Sequence, residues 1–544
     1  MQKYIIGIDT GGTFTDAVLL EQATGRIIAS AKKATTHQQL AIGTGEALAA
    51  LLETAQITPE SISSLTVSST LATNSVVENK GARVALLIIG YVRHFRLPVK
   101  AVIYIKGGHT ITGEEEEPLD LDYLVEIVNG LKNEVDAYGV CSAMSIKNPT
   151  HELVAEKAIS MIDPKPVFCS HRTSDIAGMK ERAATAGLHA KLMPIMQEYL
   201  AGIKEAMRTL GLTCPISIVS GNGSTISSDK AVEFAGSTVA SGPACTAHFG
   251  ALQTREDALV IDVGGTTTDI AMIKDGAPIL AAEGCQIGGW RTHVEAVDMV
   301  TGGIGGDSHV MVDTKGSISL GPGRVMPLAM SRNTPDIASW LGTGEKAKLI
   351  VGRPEKLAGQ DHEVADCLLH LGPTTLHGIK AATGLAGVPL EKTLEQMANL
   401  QHIYECGFTP TDALHVLGRI DIGNAAAARL GAEILGAAAG LDAEEFSRSI
   451  IARAEEKIEN LIIDYLIQHY WGNSLAGFLN ARNDHPVLGV NFSLKIPLIG
   501  IGAAARHLLP AVAERLGTSI SFPDNCEVGN AIGAAMIGAT NLNC

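Results

Sequence analysis

The sequence has few aromatic residues, few charged residues and no cysteine pattern typical of a cofactor. Aromatic side chains make up 4% of the 544 residues and charged ones 18%. The nine cysteines are odd in number and none has the CxxC spacing, which argues against a disulfide framework or an iron–sulfur site and favours free thiols. Apolar runs are broken by glycine or charged residues, and no signal peptide is recognisable, so we expect a cytoplasmic protein with no membrane span.

Positive charge is also scarce. The net charge is −16, and no Lys/Arg-rich block interleaved with aromatic residues occurs, which argues against a nucleic-acid partner. Apolar residues make up 46% of the chain and there are 58 glycines, a composition typical of an α/β enzyme with large cores and many tight turns. The length predicts two domains or lobes.

One short stretch occurs twice. GIDTGGTFTDAVLL spans residues 7–20, and VIDVGGTTTDIAMI spans residues 260–273. Each places glycines between two β-branched runs, which predicts a β-hairpin. Glycine lets backbone N–H groups approach a phosphate closely, and threonine hydroxyls can donate to its oxygens. The candidate phosphate-binding residues are Thr10, Gly11, Gly12, Thr13, Gly264, Gly265, Thr266 and Thr267.

An aspartate precedes each predicted turn. Asp9 and Asp262 are candidate catalytic residues that would hold Mg²⁺ through its water shell, since this ion uses only one or two carboxylates beside phosphates. A single copy of the pattern is often a plain glycine hairpin. Two copies predict that two related lobes bind one nucleotide.

The pair of hairpins resembles the phosphate-binding hairpins of the superfamily of actin, sugar kinases, acetate kinase and heat-shock chaperone ATPases. SGPACTAHFGA (241–251) and EVGNAIGAAMIGA (527–539) resemble its two connecting helices. PLIGIGAAARHLLPAVAERLG (497–517) resembles its adenosine motif, in which Gly500, Gly502 and Ala503 would lie against adenine. The resemblance implies an α/β, two-lobed actin-like ATPase with ribonuclease H-like lobes and a nucleotide cleft between them.

The resemblance also sets the expected domains. Residues 1–252 would form the first lobe, with the first hairpin and first connecting helix. Residues 253–526 would form the second lobe, with the second hairpin, a helical insertion over about 391–472 and the adenosine motif. Residues 527–544 would be the second connecting helix, returning to the first lobe.

A narrower resemblance is to the hydantoinase A / 5-oxoprolinase family, which includes subunits of acetone and acetophenone carboxylases. Matching stretches include STLATNSVVENKGARVALL (69–87), SIKNPTHE (145–152) and TPTDALHVLGR (409–419). The resemblance implies an ATP- and Mg²⁺-dependent hydrolase that phosphorylates a cyclic amide or related carbonyl compound, either alone or as one subunit of a complex with a hydantoinase B-like subunit. A small-molecule kinase and a non-catalytic ATP-binding regulatory or scaffold protein remain alternatives, and homo-oligomers remain open.

Three stretches depart from the family pattern. Residues 67–70 replace HGTT and lack its histidine, TGGIGGDSHV (301–310) replaces a glycine run, and LGPGRVMPLAM (320–330) replaces a third motif. We therefore expect a rebuilt substrate pocket. Asp298, Asp307 and His309 are candidates for a metal or substrate cluster, with a hydrogen-bonded loop as the competing interpretation.

The chain ends soon after the last motif and resembles a short variant without the family's C-terminal domain.

Overall fold

The computed structural model describes residues 3–11, 14–35, 40–77, 81–90, 93–173, 176–282, 284–287, 289–331, 334–360, 362–399, 402–481 and 490–542. The strands are β1 (Tyr4–Thr10), β2 (Phe14–Glu21), β3 (Ile27–Ala34), β4 (Ile62–Ser69), β5 (Val84–Ile89), β6 (Ala101–Ile105), β7 (Ala137–Ser142), β8 (Val167–Cys169), β9 (Ile216–Val219), β10 (Thr225–Ser227), β11 (Ala258–Val263), β12 (Thr268–Lys274), β13 (Ala277–Pro278), β14 (Gln286–Ile287), β15 (Trp290–Arg291), β16 (Met299–Gly302), β17 (Ser308–Val312), β18 (Ile318–Arg324), β19 (Met326–Pro327), β20 (Lys348–Gly352), β21 (Thr374–Thr375), β22 (Ile403–Gly407), β23 (Leu498–Ile501) and β24 (Ile520–Ser521).

The helices are α1 (Leu40–Ala55), α2 (Leu71–Val77), α3 (Leu121–Leu131), α4 (Thr150–Ile162), α5 (Met179–Thr209), α6 (Ser228–Glu233), α7 (Ser241–Ala251), α8 (Pro354–Leu357), α9 (Glu363–Leu371), α10 (Leu376–Thr383), α11 (Gly387–Asn399), α12 (Pro410–Val416), α13 (Ala425–Ala439), α14 (Ala443–Trp471), α15 (Ala476–Ala481), α16 (Ala505–Arg515) and α17 (Gly529–Leu542).

These elements form two compact units. The first comprises Met1–Leu252, Gly276–Asp298 and Val528–Cys544, and the second comprises Gln253–Asp275 and Met299–Glu527. The domain limits expected from the sequence stay a prediction.

The first unit is built on a sheet in the order β10-β9-β4-β1-β2-β3. Strand β1 pairs antiparallel with β2 and parallel with β4. Most apolar residues of β1 and β2 are buried, including Ile6, Ile8 and Leu19, because helices cover this sheet, whereas Phe14 at the start of β2 is exposed. A second, parallel sheet in the order β6-β5-β7-β8 packs against α5, whose small residues Ala183 and Ala186 allow a close approach.

The second unit repeats the central arrangement of the first. Strand β11 pairs antiparallel with β12 and parallel with β23, β12 pairs antiparallel with β16, and β23 pairs parallel with β24. In the first unit, β1 and β2 correspond to β11 and β12, β4 corresponds to β23, β3 corresponds to β16, and β9 corresponds to β24. Both sheets thus have the order expected of a ribonuclease H-like lobe, and the predicted α/β fold class is confirmed.

The structure tests two further expectations, one about a helical region and one about the cysteines. Strand β22 interrupts the stretch that was expected to be helical over about 391–472, so that part of the prediction is wrong. The β-branched and aromatic residues Ile403 and Tyr404 suit a strand, and β22 is held between β19 and β20. The eight described cysteines are free, as predicted, and all of them are buried, whereas Cys544 lies outside the described residues. Among the described helices, none combines the length and apolar character that crossing a bilayer requires.

The last helix, α17, belongs to the first unit. Helix α17 packs against α7, β1 and β4 through small residues. A Cβ atom on Gly533 would lie 2.2 Å from the carbonyl oxygen of Cys245. Because this neighbour is backbone, it cannot rotate away, and the two helices require glycine at this position.

Substituting Gly533 tests this helix contact. We expect Gly533→Ala to destabilise the protein by about 1–3 kcal/mol through overpacking. Gly130→Ala is the matched control, because Gly130 also lies in a helix but has no atom within 4 Å of its added Cβ. The control should be neutral or stabilise by up to about 1 kcal/mol. Thermal unfolding of both variants measures the difference, and equal midpoints would contradict the close contact.

Candidate functional site

The two predicted hairpins have the same geometry. Asp9 pairs with Asp16 and Thr10 with Thr15 in the first, and Asp262 pairs with Asp269 and Val263 with Thr268 in the second. Each turn is closed by one hydrogen bond of 3.0 Å, from the N–H of Gly11 to the carbonyl of Phe14 and from the N–H of Gly264 to that of Thr267. The hairpin prediction is confirmed, while Gly12 and Thr13 lie outside the described residues.

The Asp9 carboxylate is buried at the end of β1 and has two uncharged donors. It is 6% exposed. The hydroxyl of Ser68 donates to its Oδ1 at 2.5 Å, and the amide of Asn530 donates to its Oδ2 at 3.3 Å. The hydroxyl of Thr246 bonds the amide oxygen of Asn530 and so fixes the amide with its nitrogen toward Asp9. Strand β4 and helix α17 thus orient a carboxylate of the first hairpin.

Burial dominates the ionisation of Asp9. It raises the pKa of the Asp9 carboxyl to about 6, while the hydrogen bond from Ser68 opposes the rise and the nearby Asp16 adds to it. Burial also raises the pKa of Asp269 in the second hairpin to about 6, against a hydrogen bond from Thr301. A carboxylate whose charge is poorly solvated gains from a nearby cation, so the surroundings of Asp9 fit a Mg²⁺ ion.

Thr10 faces the interior of the first unit. Its side chain is fully buried, and its hydroxyl lies 2.9 Å from the hydroxyl of Tyr199 and 3.2 Å from that of Thr44. These bonds anchor the strand end to α5 and α1. A phosphate contact by this hydroxyl stays a prediction.

The second hairpin lies beside the predicted adenosine motif. Strand β23 runs parallel to β11, with Ile261 opposite Gly500 and Asp262 opposite Ile501. The chain then turns through Gly502 at φ +90°, and the N–H of Ala504 donates to the carbonyl of Val263 at 3.1 Å. The structure therefore brings Gly500, Gly502 and Ala503 next to the strand end that carries Asp262. Gly264, Gly265, Thr266 and Thr267 are partly exposed at the turn.

The loop that carries Asp307 and His309 is stabilised by its own contacts. The Asp307 carboxylate forms an ion pair with Arg324 at 3.1 Å, and His309 Nε2 lies 3.1 Å from the carbonyl oxygen of Ala347. Asp298 belongs to the first unit. Among the described residues, one set of three potential metal ligands lies close enough together to hold an ion. It contains none of Asp298, Asp307 and His309. This arrangement matches the hydrogen-bonded loop.

That group consists of Glu152, Cys169 and His171 in the first unit. The Glu152 carboxylate accepts four hydrogen bonds, from the N–H groups of Ser142 and His171, the hydroxyl of Ser170 and, at 2.7 Å, the ring of His171. Burial would raise the pKa of Glu152, but these bonds outweigh it and lower the pKa. The group is thus a satisfied polar network at the ends of β7 and β8.

Sequence reasoning missed Ser68, Asn530 and Thr246. Ser68 lies in one of the stretches that depart from the family pattern, and it is the direct neighbour of Asp9 in the β1/β4 ladder. Asn530 and Thr246 lie within the two stretches that were matched to connecting helices. No local pattern marks Asn530 as a partner of Asp9, or Thr246 as a partner of Asn530, because each pair is separated by more than 200 positions.

Two family models match the chain. One, described as the hydantoinase/oxoprolinase N-terminal region, matches residues 5–162, and the other, described as hydantoinase/oxoprolinase, matches residues 182–538. Among curated proteins, the chain is similar to caprolactamase subunit alpha of Pseudomonas jessenii. The two are 27% identical over 368 residues, which cover 59% of this chain and 50% of that one. The chain thus spans about half the length of this relative.

Solved structures share the fold. Acetone carboxylase in its nucleotide-free form has a TM-score of 0.66 and 18% identity, covering 98% of this chain and 70% of that chain. The ATP-dependent caprolactamase of Pseudomonas jessenii has a TM-score of 0.65 and 21% identity, with the same coverage of 98% and 70%.

Gly502 tests how the second hairpin is positioned. A Cβ atom there would lie 2.4 Å from Asp262 Oδ1 and 2.5 Å from the carbonyl oxygen of Val263. Gly517→Ala is the control, because Gly517 also has positive φ but open space around it. We expect the control to cost about 1–2 kcal/mol from its backbone conformation alone. Gly502→Ala should lower the thermal unfolding midpoint clearly further, and equal losses would contradict the close approach.

Proposed function

The chain belongs to the hydantoinase/oxoprolinase family, and from that membership we propose that it uses ATP to activate the carbonyl oxygen of a cyclic amide or related compound. The observation that carries the proposal is the repeated hairpin, with the same register, the same turn hydrogen bond and an aspartate at the same position. Open backbone N–H groups at a glycine turn are a common way to bind phosphate oxygens.

The proposed reaction begins with phosphoryl transfer. The amide oxygen forms a bond to the γ-phosphorus of ATP while the bond from that phosphorus to ADP breaks. Water then adds to the activated carbon, the C–N bond breaks, and the ring opens to an amine and an acyl phosphate. A second water releases phosphate and the carboxylate. Phosphorylation is useful because amide resonance makes the carbon a poor electrophile, and transfer of this kind depends on positioning and charge neutralisation.

Each named residue has a proposed part in this reaction. Asp9 and Asp262 would hold Mg²⁺, which supplies charge neutralisation at the phosphates when it is bound. The backbone groups of Thr10, Gly11, Gly12, Thr13, Gly264, Gly265, Thr266 and Thr267 would bind phosphate oxygens, together with the hydroxyl groups of Thr13, Thr266 and Thr267, whereas the Thr10 hydroxyl is turned to the interior. Gly500, Gly502 and Ala503 would lie against the adenine, whose flat face needs a surface without side chains.

We also propose that a second polypeptide of the hydantoinase B type completes the reaction. The support is that the similar protein from Pseudomonas jessenii is named as a subunit alpha. The protein used in the functional test is therefore purified together with any polypeptide that is encoded next to it.

The test is turnover with a panel of caprolactam, 5-oxoproline and hydantoin. We expect one panel member to give ADP, phosphate and ring-opened product in equal amounts. A phosphorylated product with an intact ring would favour a small-molecule kinase, and ATP binding without turnover would favour a regulatory protein. Asp9→Asn and Asp262→Asn should each reduce turnover by about 10²-fold or more. Asp229→Asn is the control, because Asp229 is an exposed residue paired with Lys204.

The pH dependence tests the role assigned to Asp9. Because the pKa of Asp9 is raised to about 6, its carboxylate is lost as pH falls through 6, and Mg²⁺-dependent turnover should fall with it. Ser68→Ala removes a bond that lowers this pKa, so the acid limb of the pH profile should move to higher pH. Ser64→Ala is the control, since Ser64 lies buried in the same strand and its hydroxyl has no partner among the described residues. An unchanged limb in Ser68→Ala would contradict the assignment.

A further inference from the structure

Two of the stretches that depart from the family pattern meet at the second hairpin. Asp307 lies in TGGIGGDSHV and Arg324 in LGPGRVMPLAM. A guanidinium N–H of Arg324 donates to Asp307 Oδ2 at 3.1 Å. The two departures therefore form one structural feature.

Main-chain bonds fix Asp307 against the hairpin turn. The N–H of Gly306 donates to the carbonyl of Gly264 at 3.0 Å, and the N–H of Asp307 donates to that of Gly265 at 2.7 Å. The approach is so close that a Cβ atom on Gly265 would lie 2.5 Å from Asp307 Oδ2. The hydroxyl of Thr411 supports the loop from its other side by donating to the carbonyl of Gly306 at 2.8 Å.

Arg324 is held with its charge near this turn. It is the last residue of β18 and pairs with Ser308 across the β17/β18 ladder. The N–H of Val325, which follows it, donates to the carbonyl of Asp307 at 3.1 Å. Its side chain is 37% exposed, whereas that of Asp307 is 18% exposed. The carboxylate is thus the more buried member of the pair, and the guanidinium is the member that solvent and ligands can reach.

The negative charge at the second hairpin favours a positively charged side chain nearby. The second hairpin carries the carboxylates of Asp262 and Asp269, and a polyphosphate there would add further negative charge. A guanidinium presents a planar fork of donors that matches phosphate oxygens. Arginine is also the residue that stabilises the charge of a phosphoryl group in transfer in many enzymes.

We propose that Arg324 is a catalytic residue that donates hydrogen bonds to the terminal phosphoryl group of ATP, and that Asp307 is the residue that positions it. During transfer the bond from phosphorus to ADP breaks and the bond to the acceptor oxygen forms, while Arg324 keeps its protons. The ligand class is a terminal phosphate oxyanion. This inference rests on the proposed function, since it requires ATP at the second hairpin.

Nucleotide affinity tests the proposal without turnover. Binding of a non-hydrolysable ATP analogue and of ADP, each with Mg²⁺, is measured by calorimetry for the full chain. We expect Arg324→Gln to weaken binding of the ATP analogue at least tenfold and of ADP less than twofold. Arg324→Lys keeps the charge without the fork and should show an intermediate loss. Arg429→Gln is the control, because Arg429 pairs with Glu433 on the exposed face of α13.

A double-mutant cycle tests the positioning role of Asp307. Asp307→Asn should reduce the preference for the ATP analogue over ADP, and it should have little further effect in the Arg324→Gln background. A merely structural role would lower stability without changing this preference. Equal losses for both nucleotides, or none, would overturn the inference while leaving the proposed function in place. If the unaltered protein binds neither nucleotide, the proposed function itself is wrong, and the inference falls with it.

Discussion

Each candidate site depends on a single backbone hydrogen bond that closes a glycine turn. In both units this bond joins the residue after the first strand to the residue that begins or precedes the second, and it sets the pairing of the strands. The pairing in turn fixes an aspartate two residues before the first turn glycine. Because the register is the same in both units, the two aspartates have equivalent positions in their sheets. A shift of one residue in either ladder would turn that carboxylate to the opposite face.

Burial is the second constraint, and it acts against charge. The Asp9 carboxylate lies where water cannot solvate it well, and the half-buried Asp269 is affected in the same direction, so the pKa of both is raised above that of a free aspartate. Neutral donors, Ser68 and Asn530 for Asp9 and Thr301 for Asp269, offset part of this cost. Such an arrangement favours a carboxylate that acts with a cation over one that acts alone.

Local pattern was enough to predict the hairpins and the α/β class, because glycine between β-branched runs is a short-range signal, whereas phosphate binding at the two turns stays a prediction. It was not enough for Ser68, Asn530 or the contact between Asp307 and Arg324, which arise when distant segments meet. Strand β22 was mistaken for part of a helical region because strongly periodic helices lie on both sides of it. All three stretches that depart from the family pattern were visible in the sequence, but only the structure shows that Ser68 contacts Asp9 and that Asp307 contacts Arg324.

The loop at Gly306 and Asp307 is attached to the second hairpin by main-chain atoms. Backbone N–H groups are common to all residues other than proline, so these two hydrogen bonds do not depend on which of those residues follows Gly306. An exchange of the side chain at position 307 would therefore change the charge beside the turn while both main-chain bonds can still form. The frame of the second hairpin and the chemistry beside it thus depend on different atoms of the same residue.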